Sequence, residues 1–267
     1  MSAPRHTFDG YRGIEAVNWS RLKYMRDSPL AYRYHRDHGV TVTDAMRLGS
    51  ATHTAILEPH RFLADYVLWD GGDGRGKEWA AFRESAGERT ILTSSQYTQA
   101  LAISDAVRNN AQAMRYLDHG TNEATVKWTD AASGLVCKGR MDLYTGPVIV
   151  DVKTTRSIDE RKLRSQMETL GVFCQLAMYR MGVIANEWAV DPRCVIIAAE
   201  QFPPHDVGVF CVHPPDIETA EGEVAALLGK LRDCMNRDHW PGRFESETPI
   251  ARPAWAMGGD ITFSDEE

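Results

Sequence analysis

The sequence predicts a mixed α/β (α+β) fold, with helices flanking a mixed central sheet and a helical N-terminal portion. Three observations carry that expectation. Strand-like runs at 123–130, 134–143 and 147–153 follow one another with only short turns between them. Two more aliphatic runs, at 194–201 and 207–212, lie beyond a long stretch of helical spacing, which gives the order β-β-β-α-β. Everything before residue 120 is dominated by helical periodicity.

The elements can be justified in turn. Residues 15–37 read as helix broken at Ser28-Pro29, because proline cannot donate a backbone hydrogen bond. A helix over 43–58 has Thr43 as its N-cap and Pro59 just past its end. Asp70-Gly71-Gly72-Asp73-Gly74-Arg75-Gly76-Lys77 is a glycine-rich loop. It fails as a phosphate-cradling loop because Gly76-Lys77-Glu78 lacks the required hydroxyl residue after the lysine. Two readings stand for it: a mobile surface loop, or a flap whose Arg75 and Lys77 touch DNA phosphates. Helices follow at 78–86 and 94–117, then the three strands, a helix over 158–182, the last two strands and a helix over 215–236. The acidic end at 258–267 reads as frayed, with docking of a partner as the second reading. The 267 residues suffice for one domain, with a mainly helical portion at 1–120, a sheet core at 121–240 and a tail at 241–267.

Composition narrows the function. Thirty basic against 37 acidic residues leave a net charge of −7, which argues against avid nonspecific binding to nucleic acid. Any grip on DNA is expected to be local to a cleft and sensitive to salt. Met1-Ser2-Ala3-Pro4-Arg5-His6 has no apolar core of a signal peptide and no apolar run reaches membrane-spanning length, so a cytoplasmic protein without membrane partners is expected. Five cysteines, at 137, 174, 194, 211 and 234, are odd in number and widely spaced, which speaks against a disulfide scaffold or a zinc ribbon. Cys137 and Cys174 read as core residues.

Chemistry concentrates in two adjacent strands. Along Val148-Ile149-Val150-Asp151-Val152-Lys153, alternation puts Asp151 and Lys153 on one face and Val148, Val150 and Val152 on the other. Upstream, the same rule groups Lys138, Arg140 and Asp142 against Cys137, Met141 and Leu143, so each strand is expected to have one wet, charged face. Lys138 and Arg140 are then candidate DNA contacts. The turn Tyr144-Thr145-Gly146-Pro147 makes the strands antiparallel neighbours and brings Asp142 opposite or diagonal to Asp151, within roughly 5–8 Å at the β-carbons. One hard divalent cation fits between two such carboxylates. A D-x-K triplet alone is often just a surface ion pair. Glu160-Arg161-Lys162 has the same spacing, but it opens a helix and has no strand carboxylate upstream, so it reads as helix surface. Taken by themselves, His53 is an ordinary helical histidine, Glu123 an edge-strand acid, and Gln175 and Tyr179 two polar residues sharing a helix face.

A resemblance sharpens these readings. Gly49-Ser50-Ala51-Thr52-His53 matches the G-x-x-x-H signature of RecB-type nucleases, and Gln175-Leu176-Ala177-Met178-Tyr179 matches their Q-x-x-x-Y. With Asp142 and Asp151-Val152-Lys153, the chain resembles a PD-(D/E)XK nuclease. More narrowly, Asn18-Trp19-Ser20-Arg21-Leu22-Lys23 with Ser28-Pro29, the segment 49–59 and the segment 134–142 resemble the nuclease domain of exodeoxyribonuclease VIII and its phage relatives. The match runs in order from about Tyr11 to Tyr179 and is loose beyond Pro192.

The resemblance implies a restriction-endonuclease-like fold and a Mg²⁺-dependent exonuclease. It would act on linear duplex DNA from 5′ to 3′, leaving 3′ single strands for a recombination annealing protein, as a ring-shaped homo-oligomer. It implies that Asp142, Asp151, His53 and the Val152 carbonyl hold the metal. Mn²⁺ is a credible substitute because imidazole suits a softer ion. Lys153 would orient or activate water, Gln175 and Tyr179 would border the site, and Glu123 would be the acid this superfamily often adds. Some RecB-type nucleases carry an iron–sulfur cluster on closely spaced C-terminal cysteines; this chain departs from that pattern, and no cluster is expected. A single-strand or structure-specific nuclease, and a non-catalytic nuclease-fold module that binds DNA or protein, remain as alternatives.

Overall fold

The computed structural model describes residues 8–253; the acidic end at 258–267 lies outside them. The chain runs α1 (Phe8–Arg12), α2 (Trp19–Leu22), a 3-10 turn at Lys23–Arg26, α3 (Pro29–His38), α4 (Asp44–Leu57) and α5 (Pro59–Asp65). Then come β1 (Tyr66–Trp69), α6 (Gly76–Ala86), β2 (Thr90–Thr93), α7 (Ser94–Asn109) and α8 (Ala111–Leu117). The second half holds β3 (Thr121–Thr129), β4 (Val136–Tyr144), β5 (Val148–Thr155), α9 (Glu160–Leu170), α10 (Val172–Ala185), β6 (Arg193–Glu200), β7 (Val207–Cys211) and α11 (Pro214–Arg237).

The five later strands form one sheet in the order β3-β4-β5-β6-β7. It is mixed, because β5 and β6 are parallel, joined by the α9–α10 crossover, and the other neighbours are antiparallel. Both faces are covered. Ile149, Cys194, Ile196 and Ala198 pack beneath Leu176 and Met178 of α10 and Leu228 of α11. On the opposite face Val148, Val150, Val152, Val195 and Ile197 pack against Ile56 and Leu57 of α4 and Ile103 and Val107 of α7. This is why β5 and β6 are almost continuously aliphatic. Each fully buried valine there contributes about 1.5–3 kcal/mol. The expected alternation of β5 therefore holds, but its charged face is only partly wet: Asp151 is completely buried, under the crossover helices, and Lys153 keeps partial exposure.

The expected alternation of β4 fails at one place. Met141 packs on the α10 side whereas Leu143, two residues on, packs on the α4 side. The β3–β4 ladder pairs Asn122 with Leu143 and Ala124 with Met141, and skips Glu123 and Asp142 between them. Glu123 sits there at φ +56°, a conformation uncommon for a residue with a side chain. The kink turns the facing over and frees both acids from the sheet surface.

Two expected long helices are each two. The 158–182 helix divides at Gly171, whose φ of +69° ends α9, and a β-carbon there would lie 2.6 Å from the ring of Trp19. The 94–117 helix divides at Asn110, whose Oδ1 accepts the backbone N–H groups of Gln112 and Ala113 to cap α8. Thr43 caps α4 as expected, accepting from the Met46 N–H. The short parallel pair β1–β2 was not expected from the sequence. Cys137, Cys174, Cys194 and Cys234 are buried and Cys211 is exposed. No helix among the described residues is long and apolar enough to cross a membrane.

Candidate active site

The site lies where the sheet opens. After the turn, β4 and β5 pair only at Leu143↔Val150 and Tyr144↔Ile149. Continuing that register by one place sets Asp142 across from Asp151, but the backbone ladder stops and the Asp142 Oδ2 takes the Val152 N–H at 2.7 Å instead. Beyond it the strands separate, and the vacated edge of β4 is taken by the N-terminal segment: Val17 bridges Cys137, with Val17 N–H to Val136 O and Lys138 N–H to Val17 O, both 2.8 Å. A strand residue directs its N–H and C=O to the same side. The Val152 carbonyl thus faces this opening, and Val152 lines the cleft there.

Around the opening the chain assembles an alternating set of charges. Lys153 Nζ lies 2.6 Å from Asp151 Oδ2. Gln175 donates to Asp151 Oδ1 at 3.0 Å and its amide nitrogen lies 2.9 Å from the Tyr179 hydroxyl, one helical turn along α10. His53, mid-way along α4, places Nε2 2.9 Å from Asp142 Oδ1 and Nδ1 3.4 Å from Glu123 Oε1. Arg140 pairs with the other Glu123 oxygen. Gly139 is required beneath this layer, since a β-carbon would lie 2.6 Å from the Tyr179 ring.

The two aspartates differ in charge state. Burial pushes the Asp151 carboxyl up to about 6, against the pull of the Lys153 ammonium, and the neighbouring Asp142 charge adds to the rise. Asp142 is also opposed by burial, yet the His53 imidazole beside it, Lys153 and the Val152 N–H hold it below the ordinary carboxylate range. His53 is raised: burial works against its charge, but Asp142 and Glu123 outweigh it. Lys153 is likewise raised by Asp151 and Asp142 despite burial. Burial raises the Glu123 carboxyl. The Tyr179 phenol is raised well above its usual value by burial and both aspartates, so it stays protonated.

These groups form the floor and one wall of a cleft of about 980 Å³. His53, Glu123, Arg140, Val152, Lys153 and Tyr179 line it, whereas the two aspartates lie just beneath, 7% and 0% exposed. Among the described residues no three His, Cys, Asp or Glu side chains converge as a ready cation cage. The donor set is nonetheless of the right kind for a hard divalent ion: two carboxylates, a strand carbonyl and one imidazole. Burial raises the Asp151 carboxyl even with the Lys153 ammonium beside it, so a further cation there would favour its charged form.

The other expected contacts fare differently. Lys138 is almost wholly buried, with its ammonium 2.8 Å from the carbonyls of both Tyr11 and Ile14 and above the Tyr11 ring. Holding these two carbonyls gives it a structural task in place of a DNA contact. Arg140 faces the cleft but is committed to Glu123. Arg75 and Lys77 are exposed at the start of α6 and do not line the cleft; their loop folds back, the Trp69 indole N–H donating to Gly72 O at 2.9 Å. Sequence reasoning missed Arg61 and Arg89 on the opposite cleft wall. Isolated arginines on helix and turn surfaces carry no local signal that could have found them.

The sheet, its crossover and the acids at the opened strands define the restriction-endonuclease-like class. The chain belongs to the family described as PDDEXK-like domain of unknown function (DUF3799), whose model matches residues 18–248. Among solved structures, a "putative exonuclease" from Eubacterium rectale superimposes with a TM-score of 0.67 over 93% of this chain and 97% of that one, at 15% identity. SSO0001, also at 15% identity over 84% and 88%, has a TM-score of 0.31, too low to bear on the fold. No curated protein matches the sequence. The comparisons reach the superfamily and not the narrower kinship with exodeoxyribonuclease VIII.

Proposed function

We propose that the protein is a divalent-metal-dependent deoxyribonuclease, an exonuclease on linear duplex DNA. One observation carries this reading: Asp142, Asp151 and Lys153 meet His53, Gln175 and Tyr179, from four separate elements, at one break in the sheet that opens into a cleft. A purely structural ion-pair network has no need of a cleft, a kinked strand or a carboxylate held at about 6. Family membership and the fold of the E. rectale protein support the same class.

Asp142, Asp151 and the Val152 carbonyl would hold Mg²⁺, with His53 as the nitrogen ligand once its ring releases a carboxylate. The ion supplies charge to polarise the scissile phosphate and lowers the pKa of bound water. Lys153 is an ammonium beside Asp151, so it serves to fix and neutralise charge at the phosphate and not to take up a proton. Gln175 holds Asp151 in place through Oδ1, leaving Oδ2 toward Lys153. Tyr179, protonated, offers its hydroxyl at the cleft wall. Digestion from 5′ to 3′, delivery of 3′ single strands to an annealing protein and a ring-shaped oligomer extend the reading by resemblance.

The test is direct. Purified protein is incubated with end-labelled linear DNA and with closed circles, with and without Mg²⁺. Loss of linear DNA alone, only with Mg²⁺, is the expected result. Nicked circles mean an endonuclease, and inertness toward both removes the proposal.

A further inference from the structure

Basic side chains without acidic partners stand out in a chain of net charge −7. Arg161 and Lys162, from the triplet that reads as plain helix surface, line with Arg156 a groove of about 910 Å³ along α9. Of the acids nearby, one lies at the groove and caps α9, and two pair with arginines outside it. Asp159, at the groove, accepts the Lys162 backbone N–H; Glu160 pairs with Arg164; Glu168 pairs with Arg26. Arg156, Arg161 and Lys162 have no acidic partner among the described residues and are all exposed.

A small pocket lies between the groove and the cleft, sharing Leu170 with the one and Tyr11, Asn18, Ser20 and Tyr179 with the other. The pocket is about 140 Å³, and its other walls include Gln175 of the site. In that pocket Lys23 has no acidic partner among the described residues, and the Trp19 indole N–H is buried without an acceptor. Burial, and secondarily the Lys153 charge, lower the Lys23 pKa. Lys138, the pocket's other cation, is already held by Tyr11 and Ile14. An anion is what these cations lack, and a pocket of about 140 Å³ is too small for a duplex.

We propose that Lys23 and the α9 groove form a track for the phosphodiester backbone of a single DNA strand running out of the cleft, with Arg156, Arg161 and Lys162 on its phosphates. The track rests on the nuclease reading. It assigns work to a surface the cleavage chemistry does not use.

The experiment measures binding of a fluorescein-labelled oligothymidylate by anisotropy, in EDTA, across a salt series. Full-length wild type is compared with Arg156→Glu/Arg161→Glu/Lys162→Glu and with Arg164→Glu, a control on the same helix that lies outside the groove. The triple variant should bind about tenfold or more weakly, with a slope of log affinity on log salt shallower by about 2, at 0.7 per lost single-strand contact. Arg164→Glu should match wild type. A triple variant with wild-type affinity and slope overturns the track, as does one that loses only duplex binding. Wild type that neither binds nor cuts DNA overturns the nuclease reading beneath it, whereas wild type that cuts while the triple variant binds as before overturns the track alone.

Discussion

Asp142 and Asp151 face each other across the opened strands, yet their surroundings push them apart. Asp142 meets the α4 side, where an imidazole and a backbone N–H stabilise its charge; Asp151 lies under α10, where a neutral amide and one ammonium leave burial dominant. Two like acids with separated pKa values divide labour. Asp142 is held toward its charged form, and Asp151 is the one whose charge depends on what else arrives. The half of the site on α4 supplies cationic balance, and the half on α10 waits for it.

That contrast can be broken most severely by removing the charge altogether. Asp151→Ala and Lys153→Ala should each lower cleavage of linear DNA roughly a thousandfold or more while leaving circular dichroism unchanged. Turnover close to wild type in either variant would strip that residue of its role.

Next in size is the effect of pH on stability without metal. Asp151 has a raised folded pKa, so its ionisation opposes folding: the cost is absent below about pH 4 and complete above about 6. Asp142 has a lowered one, so its contribution is present above its unfolded value and lost as pH falls. In urea titrations, Asp151→Asn should therefore gain on wild type as pH rises from 4 to 7, whereas Asp142→Asn should lag wild type by a constant margin over that range and close the gap only as pH falls below about 4. Parallel curves would show that the two carboxylates are equivalent.

A subtler change tests the layer beneath. Gly139→Ala drives a methyl against the Tyr179 ring and should cost about 1–3 kcal/mol by urea denaturation, with cleavage falling further than the stability loss explains. Unchanged stability would mean that Tyr179 is free to move aside. Smallest is Gln175→Leu, which removes a donor to Asp151 and should shift the acid limb of the cleavage profile upward by up to about one pH unit. A fixed limb would assign that limb to another group.

How much of this was legible varies with the range of the forces involved. The succession of strands along the chain, the Thr43 cap and the nearness of Asp142 to the Asp151 strand follow from local periodicity and turn length, which the letters display. The division of the 158–182 helix is enforced at Gly171 by Trp19, a residue remote in sequence, and no local signal announces it. β1 and β2 have four residues each, too few for a period to register. The charged face of β5 was assigned to solvent because alternation tells which residues share a side and not whether a helix covers it. Lys138 was misjudged for a related reason: its partners are main-chain carbonyls, which every residue has.

The strap formed by Tyr11 to Val17 ends just before the span that the family model covers. Expression of residues 18–248 by themselves would strip β4 of its borrowed neighbour and leave a buried ammonium with nothing to grip. Such a fragment is expected to be soft at the very edge where the two strands part company, however faithfully it keeps every acid in place.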